Sequence, residues 1–157
     1  DDDNWYGTPT KSQAQTDEIA QRTGADLRWL DAAFRFARDE DAEAVVIIEQ
    51  ADMWDLDGKP AAHIANYEPF IAGIASNTQS FGKPVLLING DSHVYESDTP
   101  LADPAAVNNT IYGVKYGVPN LRRITVDGSS NADDYLRLTI DPRSPSIFSW
   151  DRVPFTG

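Results

Sequence analysis

The sequence predicts an α/β fold: a parallel β-α-β unit followed by antiparallel strands. Three features carry that expectation. Two short aliphatic runs, Ala44-Val45-Val46-Ile47-Ile48 and Val85-Leu86-Leu87-Ile88, contain no polar residue, as strands of a parallel sheet covered on both faces do. Each run follows a stretch with helical spacing of apolar residues. Beyond residue 120 the pattern changes to alternation, the mark of strands with one face in water.

Residues 1–11 mix Asp, Asn, Gly, Pro, Thr and Lys without periodicity and read as an arm, with residues 12–157 as one α/β domain. A helix is expected from Thr16, where Asp17 and Glu18 complement its N-terminus. Leu27, Leu30, Phe34 and Ala37 then fall on one face, widened by Trp29, Ala33 and Phe36, and the helix stops near Asp39. On this reading Trp29, Phe34, Phe36 and, near the far end, Trp150 are core residues. The first aliphatic strand delivers Glu49, Gln50 and Asp52 at its end. A second helix is expected over residues 66–81, with Tyr67, Phe70, Ile71 and Ile74 in register, and Gly82-Lys83-Pro84 stops it. The strand Val85–Ile88 then ends in Asn89, Asp91 and His93. The order helix, strand, helix, strand implies a crossover between parallel strands. Residues 95–120 are rich in Pro, Asn, Asp and Gly; Leu121–Val126 and Tyr135–Ile140 follow as half-exposed antiparallel strands, with a third at Ile147–Trp150.

Composition narrows the functional classes. A formal charge of −12, from 25 acidic and 13 basic residues, repels nucleic-acid backbones and anionic lipid. No apolar run approaches the roughly 20 residues of a membrane-spanning helix. With no cysteine in the chain, disulfides, thiolate metal sites and thiol nucleophiles are excluded. The cysteine-free, acidic composition leans towards an extracytoplasmic or secreted location. No Gly-rich phosphate loop and no Gly-x-Ser-x-Gly elbow is present, which sets aside nucleotide switching and serine hydrolysis.

The chemistry concentrates at the carboxyl ends of the two aliphatic strands, where open α/β sheets bind ligands. If those strands are neighbours, Glu49, Gln50 and Asp52 converge with Asn89, Asp91 and His93. Oxygen and imidazole donors gathered at one rim suit a hard or borderline divalent cation. Asn89-Gly90-Asp91-Ser92 is equally ordinary turn chemistry, and spacing does not separate the two. His63 reads as a loop or helix-start histidine, and Asp52, Asp55 and Asp57 form a solvated acidic loop short of a complete calcium pattern.

Val85 to His93 resembles the strand and Gly-His-x-His motif of calcineurin-like metallophosphoesterases, in a Gly-Asp-x-His form, and Ala44–Gln50 is similar to the preceding strand of that family. The alternating strands near the C-terminus resemble its second sheet, so the likeness spans residues 25–155. It implies a partial α/β/β/α sandwich forming the C-terminal half of a phosphate mono- or diesterase that works by metal-bound hydroxide. Carried over by position, the metal ligands are His93, Asp91 and Gln50 (or Glu49), supported by Asn89 and Asp52. The cofactor is a divalent ion: Mn, Fe, Zn or Ca. The family's Asp-x-His, Gly-Asp-x-x-Asp and Gly-Asn-His-Asp/Glu motifs occur nowhere in the chain. The bridging carboxylate, the remaining ligands and the catalytic histidine are therefore expected from a missing N-terminal half or another chain, leaving no catalytic residue assigned here. The alternative expectation is a secreted binding or structural domain on the same fold without catalysis.

Overall fold

A computed structural model of the chain describes residues 10–56, 64, 66–128 and 133–155. His63 and Asp57 lie outside the described residues. The fold is mixed α/β. Helix α1 (Gln13–Asp39) leads into β1 (Val45–Ile48), and helix α2 (Glu68–Phe81) leads into β2 (Val85–Asn89). There follow β3 (Glu96–Asp98), the short helix α3 (Val107–Thr110), β4 (Leu121–Thr125), β5 (Asp134–Ile140) and β6 (Phe148–Pro154).

Helix α1 begins one turn earlier than charge placement suggested, because Ser12 caps it. Its Oγ accepts from the Gln15 N–H at 3.3 Å while the Gln15 side chain accepts from the Ser12 N–H at 2.7 Å. This reciprocal box satisfies two amides that would otherwise lack partners. Helix α2 has Pro69 in its first turn and ends at Gly82 with φ 71°, a left-handed cap that glycine adopts without steric cost.

The main sheet has the order β1-β2-β4-β3. β1 and β2 run parallel, as expected, with Val45 opposite Val85 and Ile48 opposite Ile88. β4 also runs parallel to β2, with Leu121 opposite Val85, which corrects the expectation of a half-exposed antiparallel strand at this position. Leu121, Arg123, Ile124 and Thr125 are all buried; the apparent alternation came from two arginines, one of which is neutralised inside. β3 closes the far edge antiparallel to β4. The third strand expected near the C-terminus is β6, which pairs antiparallel with β5 as a separate two-stranded sheet.

Because side chains alternate along a strand, one sheet face carries Val45, Ile47, Val85, Leu87 and Leu121. They pack with Phe34, Ala37, Ile71, Ile74, Ala75 and Phe81 in a single core. Each fully buried aliphatic chain contributes about 1.5–3 kcal/mol relative to exposure. Leu86 and Ile124 face the other way and are also buried. On that side the Arg122 guanidinium lies 5.1 Å from the Trp150 ring of β6.

Burial fades towards β1. Among the described residues this strand is an edge of the sheet, and Ile48 is 77% exposed, so the expectation of cover on both faces fails at its carboxyl end. Trp29 and Phe36 of α1 are likewise 74% and 66% exposed. They are not core residues, whereas Phe34 is fully buried against Phe81. Among the described residues no helix is long and apolar enough to cross a membrane.

Candidate functional site at the ends of β1 and β2

The in-register parallel pairing of β1 and β2 brings their carboxyl ends side by side. The ladder continues past the strands, with the Glu49 N–H donating to the Ile88 carbonyl at 3.0 Å and the Gly90 N–H to the Gln50 carbonyl at 3.2 Å. Gln50 and Asp91 therefore meet: Gln50 Nε2 donates to Asp91 Oδ1 at 3.1 Å. The second Asp91 oxygen accepts from the Asp52 N–H at 3.4 Å. Three of the residues singled out in the sequence form one corner.

Asp52 lies beneath that corner, almost wholly buried. Its Oδ2 accepts from Ser92 Oγ at 2.8 Å, and its Oδ1 from the Trp54 N–H and from Arg123 Nη1, both at 3.1 Å. Arg123 comes from β4 and is 2% exposed. It also grips Asp98 of β3 in bidentate fashion at 2.9 and 3.0 Å, reaches Glu96 at 2.7 Å and lies 5.4 Å from the Trp54 ring. A buried carboxylate and a buried guanidinium thus cancel each other, and the paired geometry offsets the several kcal/mol per ion that desolvation costs.

Asn89 turns away from the rim. Buried in the sheet, it accepts from Thr125 Oγ1 at 3.2 Å and donates to the Gly90 carbonyl at 3.2 Å, holding the strand end where the turn begins. Glu49 is desolvated, and burial first, then repulsion from Asp52, pushes its carboxyl up to about 7. Its Oε1 is buried without a hydrogen-bond partner among the described residues.

The turn itself is strained. Asp91 has φ 75° and His93 φ 62°, a left-handed conformation that costs a non-glycine residue about 1–2 kcal/mol. Asp91 is held there by hydrogen bonds from Gln50 and Asp52, the kind of surrounding support that lets a strained residue persist. His93 is exposed, with its ring against the backbone of Gly128.

Among the described residues no three His, Asp or Glu side chains stand close enough together to hold a metal ion. Both Asp52 oxygens are engaged by Arg123, Ser92 and Trp54 and its charge is matched by the buried guanidinium, so it orients the corner from below. Asp91, Gln50 and His93 therefore fit a metal only as part of a donor set completed from elsewhere. No step of catalysis can be derived from these residues alone.

Sequence reading missed Arg123 and Asp98, and took Ser92 only as a turn residue, whereas its hydroxyl donates to Asp52. One signal was present: consecutive arginines on a strand must point to opposite faces, so in Leu121-Arg122-Arg123-Ile124 one guanidinium has to enter the covered side. Asp98, 25 residues away, offers no local cue.

No family model, curated protein or solved structure matches the chain. The functional reading thus stands on the geometry of the corner and on the resemblance of Val85–His93.

Proposed function

We propose that this chain supplies one wall of a metal-dependent phosphoesterase site, as the C-terminal portion of a calcineurin-like domain that hydrolyses a phosphate mono- or diester. The observation that supports this most is the Gln50–Asp91 contact of 3.1 Å across the ends of adjacent parallel strands, beside the strained turn that presents His93. Asp91, Gln50 and His93 contribute ligands to a divalent cation. Asp52 orients Ser92 and Asp91 from below, and Asn89 fixes the strand end. The cation supplies charge that binds the phosphate oxygens.

The remaining ligands arrive with the missing half or another chain. The edge of β1, with Val45–Ile48 unpaired on one side among the described residues and Ile48 exposed, is the natural seat for it. A strand added there ends next to Gln50.

The test is phosphatase activity of the natural full-length protein with Mn²⁺, compared with its His93→Ala variant. Loss of at least about tenfold is expected, the scale on which metal-site residues act. Undiminished turnover would remove His93 from the site.

A second reading has its own support. The oxygens of Asp52 are all engaged internally, and both Asp91 oxygens carry hydrogen bonds, as in a domain that keeps the fold and binds without catalysis. Absence of hydrolysis in a full-length protein that still binds Mn²⁺ would favour it.

A further inference from the structure

We infer that Gly128 is a positioning residue for the candidate site: its backbone is the seat that fixes the His93 imidazole at the rim. A side chain at position 128 would place Cβ 2.1 Å from His93 Cγ, 2.2 Å from Cδ2 and 2.6 Å from Cβ. The contact with His93 Cβ is fixed by the His93 backbone and is closer than real Cβ contacts, so a rotamer change, which moves only Cγ and Cδ2, does not relieve the clash.

Neither partner is free to retreat. The segment before Gly128 is pinned to both ends of the turn that carries His93. The Val126 N–H donates to the Asn89 carbonyl at 2.9 Å, and the Tyr95 N–H donates to Asp127 Oδ1 at 2.9 Å. Asp127 is held in addition by Arg152 of β6, whose guanidinium lies 4.7 Å from the Tyr95 ring. The Tyr95 hydroxyl accepts from Trp150 Nε1 at 3.0 Å. Residues 89 and 95 bracket the turn, and both are tied to residues 126 and 127. The two-stranded sheet thereby sets where His93 stands, through Arg152, Asp127 and Gly128.

The consequence for cation binding rests on the phosphoesterase reading above, whereas the seat itself does not. The test reads the imidazole resonances of this chain with Gly128→Ala, simple to assign because the chain has 2 histidines, and titrates Mn²⁺ and Zn²⁺ into the natural full-length protein with and without the same substitution. Expected are displaced His93 resonances and ion affinity lowered by about tenfold or more. Unchanged His93 resonances with wild-type affinity would overturn the inference. If the wild type binds neither ion, the cation reading fails, and the resonances alone decide the seat: displaced supports it, unmoved overturns it. If Gly128→Ala does not fold, adding His93→Gly removes the obstructing atoms and should restore folding. Failure of that double variant would show that glycine is needed there for another reason.

Discussion

Arg123 and Asp52 meet at 3.1 Å with both side chains almost wholly buried, joining the third strand of the main sheet to the loop that leaves the first. The pair holds the floor of the candidate site, because the same Asp52 accepts from Ser92 and supports Asp91 through its backbone.

Replacing Arg123 with Met leaves the Asp52 carboxylate buried without its counter-charge and frees Asp98. A loss of about 3–5 kcal/mol in unfolding free energy is expected, read as a shift in urea midpoint. A double variant, Arg123→Met with Asp52→Asn, should recover part of it; equal instability in the single and double variants would contradict the pairing.

Glu49 makes stability depend on pH. Its folded carboxyl is raised from 4.5 to about 7 by burial and by Asp52, so the folded state holds the proton more tightly than the unfolded chain. The contribution is complete below the unfolded value and is lost as pH climbs from 4.5 through about 7. Its full size is about 3 kcal/mol. Urea unfolding at pH 5 and pH 8 should show the wild type weaker at the higher pH, and Glu49→Gln should flatten the difference.

Asp91→Ala removes the acceptor for Gln50 and for the Asp52 N–H and leaves an alanine at φ 75°. A cost of about 1–2 kcal/mol follows from the lost hydrogen bonds, the backbone strain being common to both residues, seen in thermal or urea unfolding. Asp91→Gly relieves that strain and should be the more stable of the two, with the contacts to Gln50 and Asp52 equally lost.

How far these features could be read from sequence varies with their range. The aliphatic runs of β1 and β2 and the helical spacing of Phe34 and Ala37 are local patterns, and they predicted strands and a helix that form. The meeting of Gln50 with Asp91 followed from the order of elements, since a parallel pair brings its carboxyl ends together. β4 was misread because Arg122 and Arg123 make a buried strand look amphipathic, and what buries Arg123 is a set of carboxylates from two other segments. Trp29 and Phe36 were placed in the core on periodicity, yet exposure depends on what lies beside α1. β3, with the sequence Glu96-Ser97-Asp98, has no apolar signature at all; it pairs with β4, and its Asp98 and Glu96 meet Arg123 there.

The open edge of β1 predicts association. Among the described residues its four aliphatic residues, without a charge or proline to block pairing, form an edge that other strands can extend. The wild-type chain is expected to sediment heavier than a monomer or to capture a partner, and Ile48→Lys should return it to a monomer. A wild type that is monomeric at high concentration would argue for a self-contained edge.

The most direct test of the proposed cation site is calorimetric titration of Mn²⁺ and Zn²⁺ into the natural full-length protein, which brings the completing ligands, and into its His93→Ala variant at neutral pH. Heat of binding in the wild type that disappears in the variant is the predicted result. Equal binding in both, or none in either, would contradict it and leave Gly90 to His93 as a strained turn without a cation.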